Sequence, residues 1–129
     1  MTGSVVLERV AQYTATWNAL DRDEMTALLE ASWSDDGVIV DAEHPAGVVG
    51  RDDLGALVRR THADLPGLVV RQVGEAEVLA GRVRTFWVAT TADPATRFAG
   101  TDFIEFAPDG RIARVTTFDD QPAPAGQGS

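Results

Sequence analysis

Through the first half of the chain apolar residues recur every three or four positions. One short strand interrupts this period, and beyond it the pattern becomes a two-residue alternation. In "VVLERVAQYTATWNAL", Val6, Val10, Tyr13, Trp17 and Leu20 share one helical stripe. In "DRDEMTALLEA", Met25, Leu28 and Leu29 make a core face, and Asp21 and Glu24 have the spacing of a capping box. "GVIVD" reads as a short buried strand ending at Asp41, followed by a loop containing "EHPAG". "RDDLGALVRRTHADL" predicts a third helix with Leu54, Leu57, Val58, Thr61 and Leu65 inward, stopped by Pro66-Gly67. Four strands follow: "LVVRQVGEAEVL", "RVRTFWVATT", "TRFAGTDFIEFA" and "RIARVTTF". The last two are joined by a turn at Pro108-Asp109-Gly110.

This order implies one α+β domain over residues 1–120, with three helices packed on a mostly antiparallel sheet. Residues 121–129, "QPAPAGQGS", read as a disordered tail. The strand "RVRTFWVATT" has apolar residues on both faces: Thr85, Trp87 and Ala89 on one, Phe86, Val88 and Thr90 on the other. The helices cover only one of these faces, so a homodimer through the second is expected.

Composition narrows the chemistry. The chain has 129 residues and a net charge of -9, which argues against a nucleic-acid partner. It has no Cys, and all 11 basic residues are Arg, so thiol nucleophiles, thiolate metal sites and Schiff-base lysines are excluded. The two histidines, His44 and His62, form no ligand cluster; His44 reads as a loop residue and His62 as a surface one. Neither a metal site nor a cofactor is expected. No apolar run has the length of a signal peptide or a membrane span, so a cytoplasmic location is expected and a membrane partner is not.

Three polar residues fall where the pattern predicts burial. One face of "RFAGTDFIEF" carries Phe98, Gly100, Asp102, Ile104 and Phe106, and so holds a carboxylate on an otherwise apolar surface. Asp41 closes the strand "GVIVD" on the side of Ile39, and Tyr13 lies on the stripe of the first helix. A carboxyl in an apolar wall tends to stay protonated and becomes a donor, like a buried Tyr hydroxyl. Two such donors aimed at one point can hold an enolate oxygen, while a wetter carboxylate serves as base. The bland readings are a core tyrosine, a strand-ending Asp41, and an Asp102 paired with an Arg such as Arg84.

The chain resembles the nuclear transport factor 2-like superfamily, in its ketosteroid isomerase and SnoaL-like polyketide cyclase group. The resemblance runs from Val6 to Phe118 and rests on "QYTATWNALDRDEM", "SDDGVIVD" and "TDFIEFAPDGRI". It implies a cone-shaped, cystatin-like α+β barrel and a hydrophobic small-molecule ligand. By the same resemblance Asp41 is the base, and Tyr13 (five residues before Asn18) and Asp102 are the oxyanion donors. Trp17, Trp33, Phe86, Val88 and Phe98 are the expected substrate-binding residues.

The chain departs from the group's pattern in several places. Ala42 follows Asp41 where the isomerases have Pro, two extra residues enter near Ser32-Trp33, and Thr90 and Thr101 make the site more polar than a steroid pocket. The cyclases' last-strand acid has no match at Thr116-Thr117-Phe118, and Gly100 stands where the epoxide-hydrolase branch needs Arg. The implied activity is proton transfer beside a carbonyl. The alternatives are a non-catalytic binding or accessory subunit of the same fold, and a dehydratase using the same cavity.

Overall fold

The computed structural model describes residues 3–120, so the expected tail at 121–129 lies outside the described residues. Helices α1 (Gly3–Asn18), α2 (Arg22–Ser32) and α3 (Arg51–Asp64) accompany strands β1 (Trp33–Val40), β2 (Val48–Val49), β3 (Val69–Leu79), β4 (Arg82–Thr90), β5 (Arg97–Phe106) and β6 (Ile112–Asp119). The six strands form one sheet in the order β2-β1-β6-β5-β4-β3. Only β1 and β6 run parallel; the other neighbours are antiparallel. This is the expected α+β architecture: three helices against a curved sheet that does not close on itself.

The helices bury the faces their periodicity selects. Val6, Val10 and Tyr13 of α1, Met25 and Leu29 of α2, and Leu54, Leu57 and Val58 of α3 meet Ile39, Val83, Ile104, Ile112 and Val115 of the sheet in one core. Asp21 caps α2, accepting the Glu24 amide at 2.9 Å. Leu20, expected on the stripe of α1, is 81% exposed, because α1 stops at Asn18. Asn18 explains the stop. Its side chain leaves the helix pattern and pairs with the Val70 backbone twice, donating to the carbonyl at 2.8 Å and accepting the amide at 2.7 Å. It takes the place of a neighbouring strand on the free edge of β3.

Trp33 departs from expectation. It was to line the ligand site, and it is instead fully buried in the core, where its ring stacks on Tyr13 with centroids 5.4 Å apart. The residues that look inserted lie at the α2–β1 junction: Ser32 ends α2 and Trp33 begins β1, which starts four residues earlier than "GVIVD" and contains a register shift between Trp33 and Val38. Gly37 makes room for this packing, since a Cβ there would lie 2.5 Å from Trp33 Nε1.

Candidate functional site

Between the helices and the inner face of the sheet is a cavity of about 320 Å³. Its floor is a polar row running across four strands. Val40 pairs with Thr116, which sets Asp41 beside Thr117; Thr117 pairs with Asp102, and Asp102 with Thr85. Asp41 and Asp102 thus share one row of the sheet with a single strand between them, and at the usual strand spacing their backbones are about 10 Å apart.

Asp102 is 8% exposed. Two donors meet on its Oδ1: the Trp87 indole N–H at 3.0 Å and the Thr117 hydroxyl at 2.9 Å. Among the described residues nothing bonds Oδ2, and Arg84 is paired with Glu77 instead, so a buried ion pair is not what Asp102 is for. Burial raises its carboxyl to about 6, against the two hydrogen bonds, which favour the charged form. The Asp119 carboxylate adds to the rise. Such a group changes protonation near neutrality, where general acid-base catalysis works best.

Tyr13 enters from α1 and is buried. Burial pushes its hydroxyl well above the usual range, and the charges of Asp102 and Asp41 push it further, while hydrogen bonding with Trp17 acts the other way. It is therefore a neutral O–H donor at any ordinary pH, and it lies within electrostatic reach of both carboxylates.

Asp41 follows β1 directly and turns the chain. Its Oδ1 accepts the Glu43 amide at 3.0 Å, the His44 amide at 2.7 Å and lies 2.8 Å from His44 Nδ1. His44, read from sequence as a solvated loop residue, lines the cavity with Asp41. His62, read as a surface residue, bonds the Trp17 carbonyl at 2.7 Å through Nε2 and helps close the end of α1. Glu43, Asp119 and Asp120 also line the cavity, with Arg97 as the guanidinium among the lining residues. Burial and the charges of Asp41, Glu43 and Asp120 raise the Asp119 carboxyl. Among the described residues no three His, Asp or Glu side chains are grouped to hold a metal ion.

Trp17, Phe86 and Phe98 line the cavity. Phe86 also belongs by register to the outer face, where the Arg84 guanidinium lies 5.8 Å from its ring centroid. Val88 does not line the cavity. It pairs with Arg71 and Ala99 at outer-face positions, because the pleat turns it away from Trp87 and Ala89.

A model of the SnoaL-like domain matches residues 10–115 of the chain. The protein belongs to the SnoaL-like family. No curated protein matches it in sequence. Among solved structures, a candidate isomerase of the SnoaL-like family from Agrobacterium tumefaciens str. C58 superposes with a TM-score of 0.81 at 23% identity, over 92% of this chain and 99% of that one. A candidate ketosteroid isomerase from Kribbella flavida DSM 17836 gives 0.71 at 19% identity, over 92% and 80%. A candidate polyketide cyclase from Sinorhizobium meliloti gives 0.68 at 18%, over 85% and 93%. At these identities the likeness carries the fold alone.

Besides His44, Trp87 and Thr117 are site members that the sequence pattern does not single out. Counting alternation from Ile112 turns Thr116 inward. A bulge between the Phe106–Ile112 and Glu105–Arg114 pairs reverses the alternation, so that Val115 faces the core and Thr117 the cavity. Trp87 had a signal in Gly100, which leaves a side-chain-sized space on the face of Asp102.

Proposed function

We propose that this SnoaL-like protein catalyses proton transfer beside the carbonyl of a small apolar molecule, through an enolate, as an isomerase or cyclase does. The observation that carries the reading is Asp102: a buried carboxyl raised to about 6, with Oδ2 unbonded among the described residues, lining the same cavity as the Tyr13 hydroxyl. The cavity volume, about 320 Å³, suits a ligand at the small end of the usual range.

In this reading the Asp41–His44 end of the cavity removes a proton from the carbon next to the carbonyl. The C–H electron pair becomes the new C=C bond, and the carbonyl oxygen takes up the negative charge. Tyr13 donates to that oxygen, and so does Asp102 in its protonated form. A ligand that fills the cavity displaces water from Oδ2. Burial is the main cause of the raised value, so occupancy drives Asp102 further towards the donor form.

The test is exchange of α-protons with deuterated water, followed by NMR, for cyclohex-3-en-1-one and its fused bicyclic homologue. Exchange above the buffer rate, with appearance of the conjugated ketone, is expected. A ketone that binds without faster exchange would make the protein a binder rather than an enzyme.

A further inference from the structure

We infer that the proton is taken from carbon by His44 Nε2, with Asp41 as the residue that positions the ring. This rests on the proton-transfer reading above and assigns its base to a different atom from the one the family resemblance implies.

The argument is one of hydrogen-bond capacity. A carboxylate oxygen has two lone pairs, and three donors already crowd Asp41 Oδ1: the amides of residues 43 and 44 and the imidazole. The two amide bonds fix the carboxylate within its own turn. An ionised carboxylate only accepts, so the imidazole nitrogen facing it at 2.8 Å must carry the hydrogen. In the neutral ring that fixes the tautomer: Nδ1 is protonated, and Nε2 keeps its lone pair. Among the described residues Nε2 has no hydrogen-bond partner, and the residue lines the cavity with its side chain 28% exposed. The arrangement is a base oriented by a carboxylate that is itself oriented by backbone.

The surrounding charge favours the same atom. When Nε2 takes a proton the ring becomes a cation. Asp41 lies against it, and Glu43, Asp119 and Asp120 line the same cavity. The carbon loses its hydrogen as a proton to Nε2, the C–H pair forms the C=C bond, and the imidazolium returns the proton to the same carbon or to the far end of the enolate. No other reactant is needed.

The bland reading makes His44 a side-chain clasp for the turn. His44→Asn separates the two. Its amide nitrogen can occupy the place of Nδ1 and donate to Asp41, while nothing stands at Nε2. The expected result is a loss of about 10²–10⁴-fold in the exchange rate of cyclohex-3-en-1-one, the range for a positioned base. The ketone's dissociation constant and the melting temperature should stay near those of the wild type. Exchange that survives in His44→Asn gives the base to Asp41 Oδ2 and overturns the inference alone. A wild-type protein that exchanges neither ketone overturns both readings. If the variant melts early, 15N NMR of the wild-type imidazole decides: a proton on Nδ1 and none on Nε2 supports the inference, and the reverse tautomer sinks it.

Discussion

The Trp87 ring lies across Gly100. The two residues are paired on adjacent strands, and a Cβ on Gly100 would overlap the indole and stand 2.6 Å from the Phe118 carbonyl oxygen. The absent side chain lets the indole lie against β5 and reach Asp102 two residues along. Gly100→Ala should therefore push the ring off and cost about 1–3 kcal/mol through overpacking. It should also raise the Asp102 carboxyl, because a hydrogen bond that favours the charged form is lost. A 13C titration of the Asp102 carboxyl in the variant and the wild type reads the shift directly.

Asp102 makes stability depend on pH in a direction opposite to most carboxylates. Its folded value, about 6, lies above the ordinary 3.8, so between these pH values the folded chain binds the proton that the unfolded chain releases. The contribution is complete below pH 3.8 and is lost as pH rises through 6. At about 1.4 kcal/mol per pH unit the loss is about 3 kcal/mol. Asp102→Asn keeps an acceptor for Trp87 and Thr117 without the charge. Denaturant melts should show the variant more stable than wild type at pH 8, with the difference closing towards pH 4.

Tyr13→Phe isolates the hydroxyl from the ring. Phenylalanine preserves the stacking on Trp33, so the melting temperature should change little. Loss of one donor to the enolate oxygen should slow ketone exchange by about 10²–10³-fold. A loss of ligand affinity with the saturated exchange rate unchanged would show that the hydroxyl binds the ketone and its enolate alike.

The outer face of the sheet carries its own row. Val73 pairs with Phe86, Phe86 with Thr101 and Thr101 with Phe118, and Phe103 lies beside them. Val73 is 50% exposed and Phe118 59%. A row of this kind is the surface a second copy would cover. Sedimentation at micromolar concentration should give a dimer for the wild type and a monomer for Phe118→Asp. A monomeric wild type would remove the expectation of a homodimer.

The fold was legible because periodicity and turn residues agree: the stripes of α1 to α3, the Asp21 cap and the turn at Pro108-Asp109-Gly110 all point to the same architecture. Asp102 was legible because a charge on an apolar face is a conflict that needs a reason. Tyr13 and Asp41 were legible with it, as polar residues on apolar faces. Other parts of the site were not. Trp33 and Trp17 have the same chemistry, and only packing puts one in the core and the other at the cavity. His44 looks like any loop histidine until the Asp41 turn brings its ring back to the carboxylate. Val88 alternates correctly but on the face away from the cavity, because period two says that neighbours diverge and not which of them faces in.

The bulge in β6 has a consequence for descent. Ile112 is fully buried and Thr117 reaches Asp102, yet they are five positions apart, an odd step that a regular strand cannot place on one side. The spare residue at Ala113 lets both face inward. A gene that lost this codon would still encode a strand of ordinary composition, but the protein would have to give up either its anchor in the core or its hydroxyl at the acid. Length at this point is under a constraint that substitution scanning would not register, and natural insertions and deletions should be found in the 91–96 connection rather than here.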